Sequence, residues 1–472
     1  AIALFGERYL GLFDGPLAGL SEKSCAAALK RAFRPLRFNG CLVLDAAETG
    51  SGGGVPSEAP LIEVLPNGCT VGALERPGSP VAAMHLLLKG RSCGETAGPG
   101  GLVETLVALL ESSRAGRELS RGLDALGARA QFGDNPYVPQ DDYLVSPAYA
   151  FVRLEAPAGA LRAAAKLLVS YLLESELASE DLDEVKTALA REVGMRSASP
   201  YYALRAATAA GLLANHPYGA PVFPAPGALM KVAVEELRSL RERVFAGGNV
   251  GATLVSPETP AAGGATLREI LAAVPSGPAL ECPPLPAPAG ASATDKTTRK
   301  EGAYIAAGWF VRSPTLAGTA SALVAGEILS RRMQLELREK RGLAYSIECG
   351  VAPLPGGATV MAYLGTGAPR IDEARGALEA EVRGLRERPP DAAETEIAKS
   401  RLLGKRSRSE LSSINKAYAL GLDIYLGGAE AFRSTKSLIG AVSAEDAARV
   451  IESLSWDGAL VIRLMPEAAA GR

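Results

Sequence analysis

The sequence predicts an α+β protein of two domains joined by a proline-rich linker, with a further segment in front. Three observations carry this. Strand and helix periodicities are interspersed along the whole chain. A unit of turn, acid-started helix and apolar strand occurs three times. It runs from Leu20-Ser21-Glu22 to Leu42-Val43-Leu44, from Val234-Glu235-Glu236 to Thr253-Leu254-Val255, and from Val442-Ser443-Ala444-Glu445 to Leu460-Val461-Ile462. Between Val274 and Thr298, Pro275, Pro278, Pro283, Pro284, Pro286 and Pro288 sit among Ala, Gly and Ser. Proline lacks the N–H that helix and sheet ladders need. The last two copies of the unit close domains at 56–273 and 300–467, with 274–299 as linker. The first copy has no domain body before it, so residues 1–50 read as the tail of a preceding homologous domain or as an N-terminal extension.

In the first domain, Ile62 and Val64 alternate with polar neighbours, Pro66-Asn67-Gly68 turns the chain and Val71 lies on the return strand, which predicts a hairpin over 61–75. Val81 to Leu88 is a further strand, and a helix over 102–111 follows Gly98-Pro99-Gly100-Gly101. Leu161, Ala165, Leu168 and Leu172 form one helical face, and Val185, Leu189 and Val193 form another after an acidic start. Val234 to Phe245 reads as helix and Val250 to Val255 as strand. In the second domain, 304–311 reads as strand, 319–339 as one long helix, and 346–364 as a hairpin around Pro355-Gly356-Gly357. Helices over 371–388, 392–403 and 446–454 and a strand over 460–464 complete it.

Composition excludes several function classes. Lys plus Arg is 50 against Asp plus Glu 52, a net charge of −2, which points to neither nucleic acid nor an acidic membrane. Hydrophobic residues at 47% and charged residues at 22% are those of a soluble globular protein with a large core. No apolar run approaches the ~18 residues of a membrane span, and no basic-then-apolar leader is visible. The cysteines, Cys25, Cys41, Cys69, Cys93, Cys282 and Cys349, are far apart and none has metal-ligand spacing. They read as small buried hydrophobes, which fits a reducing compartment; the compartment itself stays unknown.

The order Leu65-Pro66-Asn67-Gly68, a Gly-led helix, His216-Pro217-Tyr218-Gly219 and then Leu337-Arg338-Glu339-Lys340-Arg341-Gly342-Leu343-Ala344-Tyr345-Ser346 resembles the pitrilysin/insulinase-type zinc metallopeptidases. That group includes the mitochondrial processing peptidases and the core proteins of the respiratory cytochrome reductase. The resemblance covers roughly residues 56–467. It implies two homologous metallohydrolase-like domains, each an antiparallel-rich sheet with helices packed on one face.

In that family a His-x-x-Glu-His helix holds zinc with its two His, while the Glu serves as general base. Here Glu104, Val107 and Ala108 fall at the first His, the Glu and the second His. Val and Ala neither bind a metal nor accept a proton. Glu192 falls at the last ligand, and Val185 replaces a supporting carboxylate. The only histidines, His85 in an apolar strand and His216 before Pro217, read as structural. The expectation is therefore no metal or other cofactor in this chain, with zinc in a partner half. Gly365-Thr366-Gly367 is too short for a phosphate loop, Asp141-Asp142 is a lone acidic pair, and no serine sits in a nucleophile elbow.

The resemblance assigns Arg338 and Tyr345 the substrate side of the reaction. A guanidinium can donate to a peptide carbonyl, and a phenol to a developing oxyanion. Without it, Arg338 reads as part of a solvated charge run and Tyr345 as the start of a strand. The expected function is a non-catalytic half of a metalloendopeptidase. It would bind unfolded peptide and complete, as a heterodimer, the active site of a His-x-x-Glu-His half. That half would be a separate subunit or the N-terminal half of the same precursor; the segment 1–50 points to the latter. The alternatives are a catalytically inert structural core subunit and a stand-alone peptide-binding module. Isolated, the chain is expected to self-associate through the face its partner covers.

Overall fold

The computed structural model describes residues 59–95, 100–133, 145–287, 292–430 and 432–467. The expected segment 1–50, with Cys25 and Cys41, and the pair Asp141-Asp142 lie outside the described residues. In chain order the strands are β1 (Leu61–Val64), β2 (Thr70–Glu75), β3 (Val81–Lys89), β4 (Arg129–Gln131), β5 (Tyr149–Pro157) and β6 (Val250–Ser256), then β7 (Ser292–Thr298), β8 (Gly302–Arg312), β9 (Ser346–Leu354), β10 (Gly357–Gly367) and β11 (Leu460–Pro466). The helices of the first half include α1 (Arg91–Gly94), α2 (Leu102–Ser112), α3 (Arg114–Ala125), α4 (Leu161–Glu174), α5 (Ser179–Ser197), α6 (Pro200–Leu212), α7 (Val234–Val244) and α8 (Pro260–Leu271), with a single helical turn at Pro226–Leu229. Those of the second are α9 (Leu316–Met333), α10 (Ile371–Glu387), α11 (Ala392–Ser409), α12 (Ser413–Gly427), α13 (Thr435–Ala441) and α14 (Ala444–Ser453). No helix among the described residues is long and apolar enough to cross a membrane.

The two halves build one topology twice. The first sheet has the order β1-β2-β6-β3-β5-β4 and the second β7-β11-β8-β10-β9. Each contains one parallel pair, β2 with β6 and β7 with β11, and is otherwise antiparallel. The hairpin β1–β2 pairs Leu61 with Ala73 and Val64 with Thr70. Its turn is anchored by Asn67, whose Nδ2 donates to the carbonyls of Leu271 (2.8 Å), at the end of α8, and Val274 (3.0 Å) just past it.

Each sheet buries one face under helices of its own half. Leu106 and Leu110 of α2, Leu168 and Leu172 of α4 and Leu237 and Leu240 of α7 meet Val71, Met84, Val152 and Leu254 of the first sheet. Val324 and Ile328 of α9, Leu378 and Val382 of α10 and Ile451 of α14 meet Ile305, Trp309, Val360 and Leu364 of the second. The α4 face is one that the sequence periodicity marked, and burying such faces is the main favourable term in folding.

The other faces are covered by exchange. Helix α6, from the first half, lies on β8, β10 and β11; helix α12, from the second, lies on β3, β6 and β2. The seats are made by small residues. A Cβ on Gly308 of β8 would stand 2.3 Å from Thr208 Cγ2 of α6, and one on Gly72 of β2 would stand 2.7 Å from Ile424 Cδ1 of α12. Buried polar groups tie α12 to the first half: the Tyr149 and Tyr418 hydroxyls are 2.8 Å apart, and Thr253 Oγ1 donates to the Ala417 carbonyl at 2.7 Å.

Three expectations need correction. The stretch 274–299 is not linker throughout, because Ser292–Thr298 forms β7 and pairs in parallel with β11; the prolines stop before it. Residues 275–287 lie as a strap along the first half, with Gly247 N–H on the Pro275 carbonyl (2.8 Å), Gly248 N–H on Gly277 (3.0 Å) and Leu280 N–H on Asn249 Oδ1 (2.6 Å). The strap overturns the reading of two cysteines as lone hydrophobes. Cys93 and Cys282 form a disulfide across 189 residues, with Cα atoms 5.3 Å apart. Cys69 and Cys349 are free, and burial raises the Cys69 thiol to about 11. The long helix expected over 319–339 is α-helical only to Met333 and continues as a π-helical segment, Gln334–Lys340.

Candidate functional site

Helix α2 starts at Gly101, whose carbonyl accepts from both the amide and the hydroxyl of Thr105. With Val103, Leu106 and Leu110 in the core, Glu104, Val107 and Ala108 face toward α1 and α5. Glu104 is bound by the buried Arg91 of α1 through Nη2 and Oε2. Val107 is buried, and Ala108 packs against the cluster of Leu189, Val193 and Leu229. Glu192 of α5 accepts from Arg196 Nε at 2.9 Å and pairs with its Nη2 at 2.8 Å. Arg196 itself is buried over the Phe223 ring at 4.5 Å.

These residues do not fit a metal. Both carboxylates are engaged by guanidinium groups, the two positions between them carry hydrocarbon, and the described residues hold no group of three His, Cys, Asp or Glu able to share an ion. What is left is a cavity of about 20 Å³, room for about one water, lined by Arg91, Glu104, Val107, Phe132, Phe151 and Arg196. Two ion pairs and apolar packing occupy the place where ligands would converge.

Arg338 and Tyr345 lie at the far end of α9. Leu337 is fully buried and its carbonyl accepts from Leu343 N–H at 2.8 Å, while the Arg338 carbonyl accepts from Gly342 N–H at 3.1 Å. Arg370, itself paired with Glu373, donates to the Gly342 carbonyl at 3.0 Å and holds the turn. Tyr345 N–H then bonds the Gly365 carbonyl at 3.1 Å, and β9 begins. This wiring leaves both side chains outward. The Arg338 guanidinium is exposed and makes no ion pair among the described residues, and Tyr345 is 55% exposed. Partial burial and the neighbouring Tyr304 hydroxyl push the Tyr345 phenol above its ordinary range.

Sequence reasoning missed a row of rings that begins at Tyr345. Its ring meets Tyr304 edge-on at 6.0 Å, Tyr304 stacks with Tyr363 at 6.1 Å, Tyr363 meets Tyr201 at 5.3 Å, and Tyr201 meets Tyr202 at 5.9 Å. Tyr202 lies 5.5 Å from the guanidinium of Arg196. The row thus leads from the Arg338–Tyr345 turn of the second half, by way of exchanged helix α6, to the ion pair beside α2. Tyr201-Tyr202 directly after Ser199-Pro200 was the one available sequence signal. Nothing marked Arg91, thirteen residues before its partner Glu104.

Both histidines are built into the fold. His85 is fully buried beneath α12, 5.1 Å from the Tyr418 ring, and burial, followed by the Arg153 charge, lowers it to about 3. His216 accepts from Tyr218 N–H through Nδ1 (3.1 Å), and its Nε2 lies 2.9 Å from the Pro283 carbonyl of the strap.

Residues 231–402 match the peptidase M16 inactive domain. No curated protein matches the sequence. Among solved structures, a peptidase M16 inactive domain from Pseudomonas fluorescens superposes with a TM-score of 0.74 at 18% identity, over 86% of this chain and 98% of that one. An M16-like peptidase from Alicyclobacillus acidocaldarius gives 0.72 at 14% identity, over 86% and 98%. A protease from Helicobacter pylori gives 0.72 at 16% identity, over 86% and 99%. At these identities the structures speak to the fold, and the two repeated α+β sheets described above are that fold.

Proposed function

We propose, on the premise that this chain is a member of the M16, pitrilysin/insulinase-type, peptidase family carrying the inactive domain, that it is the non-catalytic half of a two-half metalloendopeptidase. In this reading it binds an unfolded peptide and completes the active site of a His-x-x-Glu-His half, which holds the zinc. The observation that carries the reading is the contrast within one chain. The metal positions are closed by ion pairs and hydrocarbon, while Arg338 and Tyr345 are presented outward from a turn held by main-chain bonds.

The chemistry assigned to this chain is binding and charge stabilisation. Arg338 orients a peptide carbonyl through its planar donors. Tyr345 donates its hydroxyl hydrogen to the oxygen that gains charge as the peptide carbonyl is attacked. A phenol held above its ordinary range keeps that proton at neutral pH. The partner's metal, when bound, would supply the activated water.

Cleavage of a quenched, unstructured peptide tests the proposal, with zinc, for this chain alone, the partner half alone and the mixture. Activity is expected only in the mixture. Tyr345→Phe should lower kcat by roughly 10²–10³-fold with assembly unchanged, the scale for one oxyanion donor. Arg338→Ala should weaken peptide binding. A folded, bound pair without activity would overturn the proposal and favour an inert structural subunit.

A further inference from the structure

We propose that the Cys93–Cys282 disulfide is a redox modification site that sets how firmly Arg91 is held against the degenerate metal position. Cys93 belongs to α1, two residues beyond Arg91. Cys282 belongs to the strap. The bond therefore joins the strap to the short helix whose guanidinium lies on Glu104. The contact around it is close: a Cβ on Gly90 or Gly94, at the two ends of α1, would stand 2.9 or 2.6 Å from the Leu280 side chain of the strap.

Beyond the disulfide, α1 is retained by burial of Arg91, Ser92 and Gly94, the Arg91–Glu104 ion pair, a bond from Arg243 Nη2 to the Gly94 carbonyl at 3.4 Å and a few main-chain bonds. Four residues are too few to be stable as a helix alone, and its N-cap, Gly90, offers no side-chain bond. Main-chain bonds run from Gly90 and Arg91 to the Ala148 carbonyl, at 2.8 and 3.3 Å, and from Ser92 to that of Pro147 at 2.9 Å. On the strap side, Leu280 bonds Asn249, and the Tyr218 hydroxyl lies 3.3 Å from Cys282 Sγ. Both cysteines are half-buried, and Cys282 lies between exposed Glu281 and Pro283, so a small dithiol can reach the bond.

The step is a two-electron thiol–disulfide exchange with a dithiol reductant. One donor thiolate attacks a sulfur of the pair and breaks the Cys93–Cys282 bond, giving a mixed disulfide and one cysteine thiolate. The second donor thiol displaces the other cysteine and leaves as the cyclic disulfide. Two protons, from the two donor thiols, end on Cys93 and Cys282. The covalent tie between α1 and the strap is then gone. Local opening of α1 becomes more frequent, and Glu104 is uncovered whenever Arg91 moves with it.

The test is amide hydrogen exchange on the full chain, oxidised and after dithiothreitol, with peptide mapping to establish the state of the bond. It needs neither a partner half nor a substrate, so its outcome is independent of the function proposed above. On reduction, amides of 90–95 and 276–287 should exchange roughly tenfold faster or more, reverting on reoxidation, while those of α10 stay unchanged. The double variant Cys93→Ser, Cys282→Ser should show the fast pattern with or without reductant. Unchanged exchange after verified reduction would overturn the proposal. So would two free thiols in the oxidised protein, or a uniform rise across the chain, which would make the bond a brace for global stability.

Discussion

Helices α2 and α9 hold equivalent places in the two halves but present opposite contents. On helix α2 the positions that the resemblance aligns with a metal motif carry an ion-paired Glu104, a buried Val107 and a packed Ala108. Helix α9 is longer and runs on as a π-helical segment, which carries Arg338 outward before the chain turns to Tyr345. Apart from the extra edge strand β1 of the first sheet, the strand order, the parallel pair and the exchanged helix are the same on both sides. The difference shows that one topology can carry opposite contents at equivalent places. One copy has closed the place over with side chains, and the other keeps an accessible turn.

The comparison breaks most severely where the halves hold each other. Leu204 of α6 is fully buried in the shared inner cluster. Leu204→Ala should lower unfolding free energy by about 2–5 kcal/mol, and urea denaturation followed by CD should still show one transition because both sheets lose cover together. Two separate transitions would mean that the halves are independent after all.

The closed position in the first half is the next test. Arg91→Met leaves Glu104 facing a largely buried site without its partner, at a cost of about 3 kcal/mol. Arg91→Met with Glu104→Gln should recover most of it. A double variant no more stable than the single one, measured in the same denaturant series, would show that Arg91 acts through packing alone.

A buried histidine beneath α12 distinguishes the first sheet's inner face. His85 is held at about 3, below the unfolded value of about 6.5, so at acid pH the unfolded chain binds the extra proton. Its stabilising contribution is complete above about pH 6.5 and is lost as pH falls toward 3, at about 1.4 kcal/mol per pH unit. His85→Phe should flatten that part of the stability–pH curve; an unaltered slope would place the acid sensitivity elsewhere.

The smallest effect separates two equivalent helices at their starts. Helix α14 has a complete capping box, Ser443 Oγ accepting from Asp446 N–H at 3.1 Å and Asp446 accepting from Ser443 N–H at 3.0 Å. Helix α7 has only the return bond, Ala233 N–H to Glu236 at 2.9 Å. Ser443→Ala should cost about 1 kcal/mol, and Ala233→Ser should gain up to about 1 kcal/mol, both readable as shifts in Tm.

What the sequence made legible follows from these contrasts. Strand β1 and the faces of α4, α5 and α10 declare themselves by apolar residues recurring against polar neighbours, while β2, β3 and β6 show as short, mostly apolar runs because both their faces are buried. Helices α6 and α12 do not, because each lies between two halves and is apolar or small over much of its circumference: Tyr201, Leu204, Thr208 and Leu212 in one, Ile414, Tyr418, Leu420 and Ile424 in the other. Periodicity reports one buried face and cannot say whose sheet receives it. The site divides the same way. That Val107 and Ala108 cannot hold a metal is legible in the sequence, since no arrangement gives a hydrocarbon a lone pair. That Arg91 and Arg196 would answer Glu104 and Glu192 depends on contacts between elements. The Cys93–Cys282 pairing was hidden for a like reason, since only the folded strap brings residues 189 apart together.

The exchanged helices also set an order of events during synthesis. When the chain has left the ribosome as far as β6, the first sheet has the helices for one face but not α12 for the other. Leu74 and Val255, which α12 later covers with Leu420 and Ile424, must wait while strands β7 to β10 and the helices among them are translated. The nascent first half therefore stays sticky from the completion of β6 until α12 emerges, and a folding helper that shields that face should bind it before α12 appears and let go afterwards.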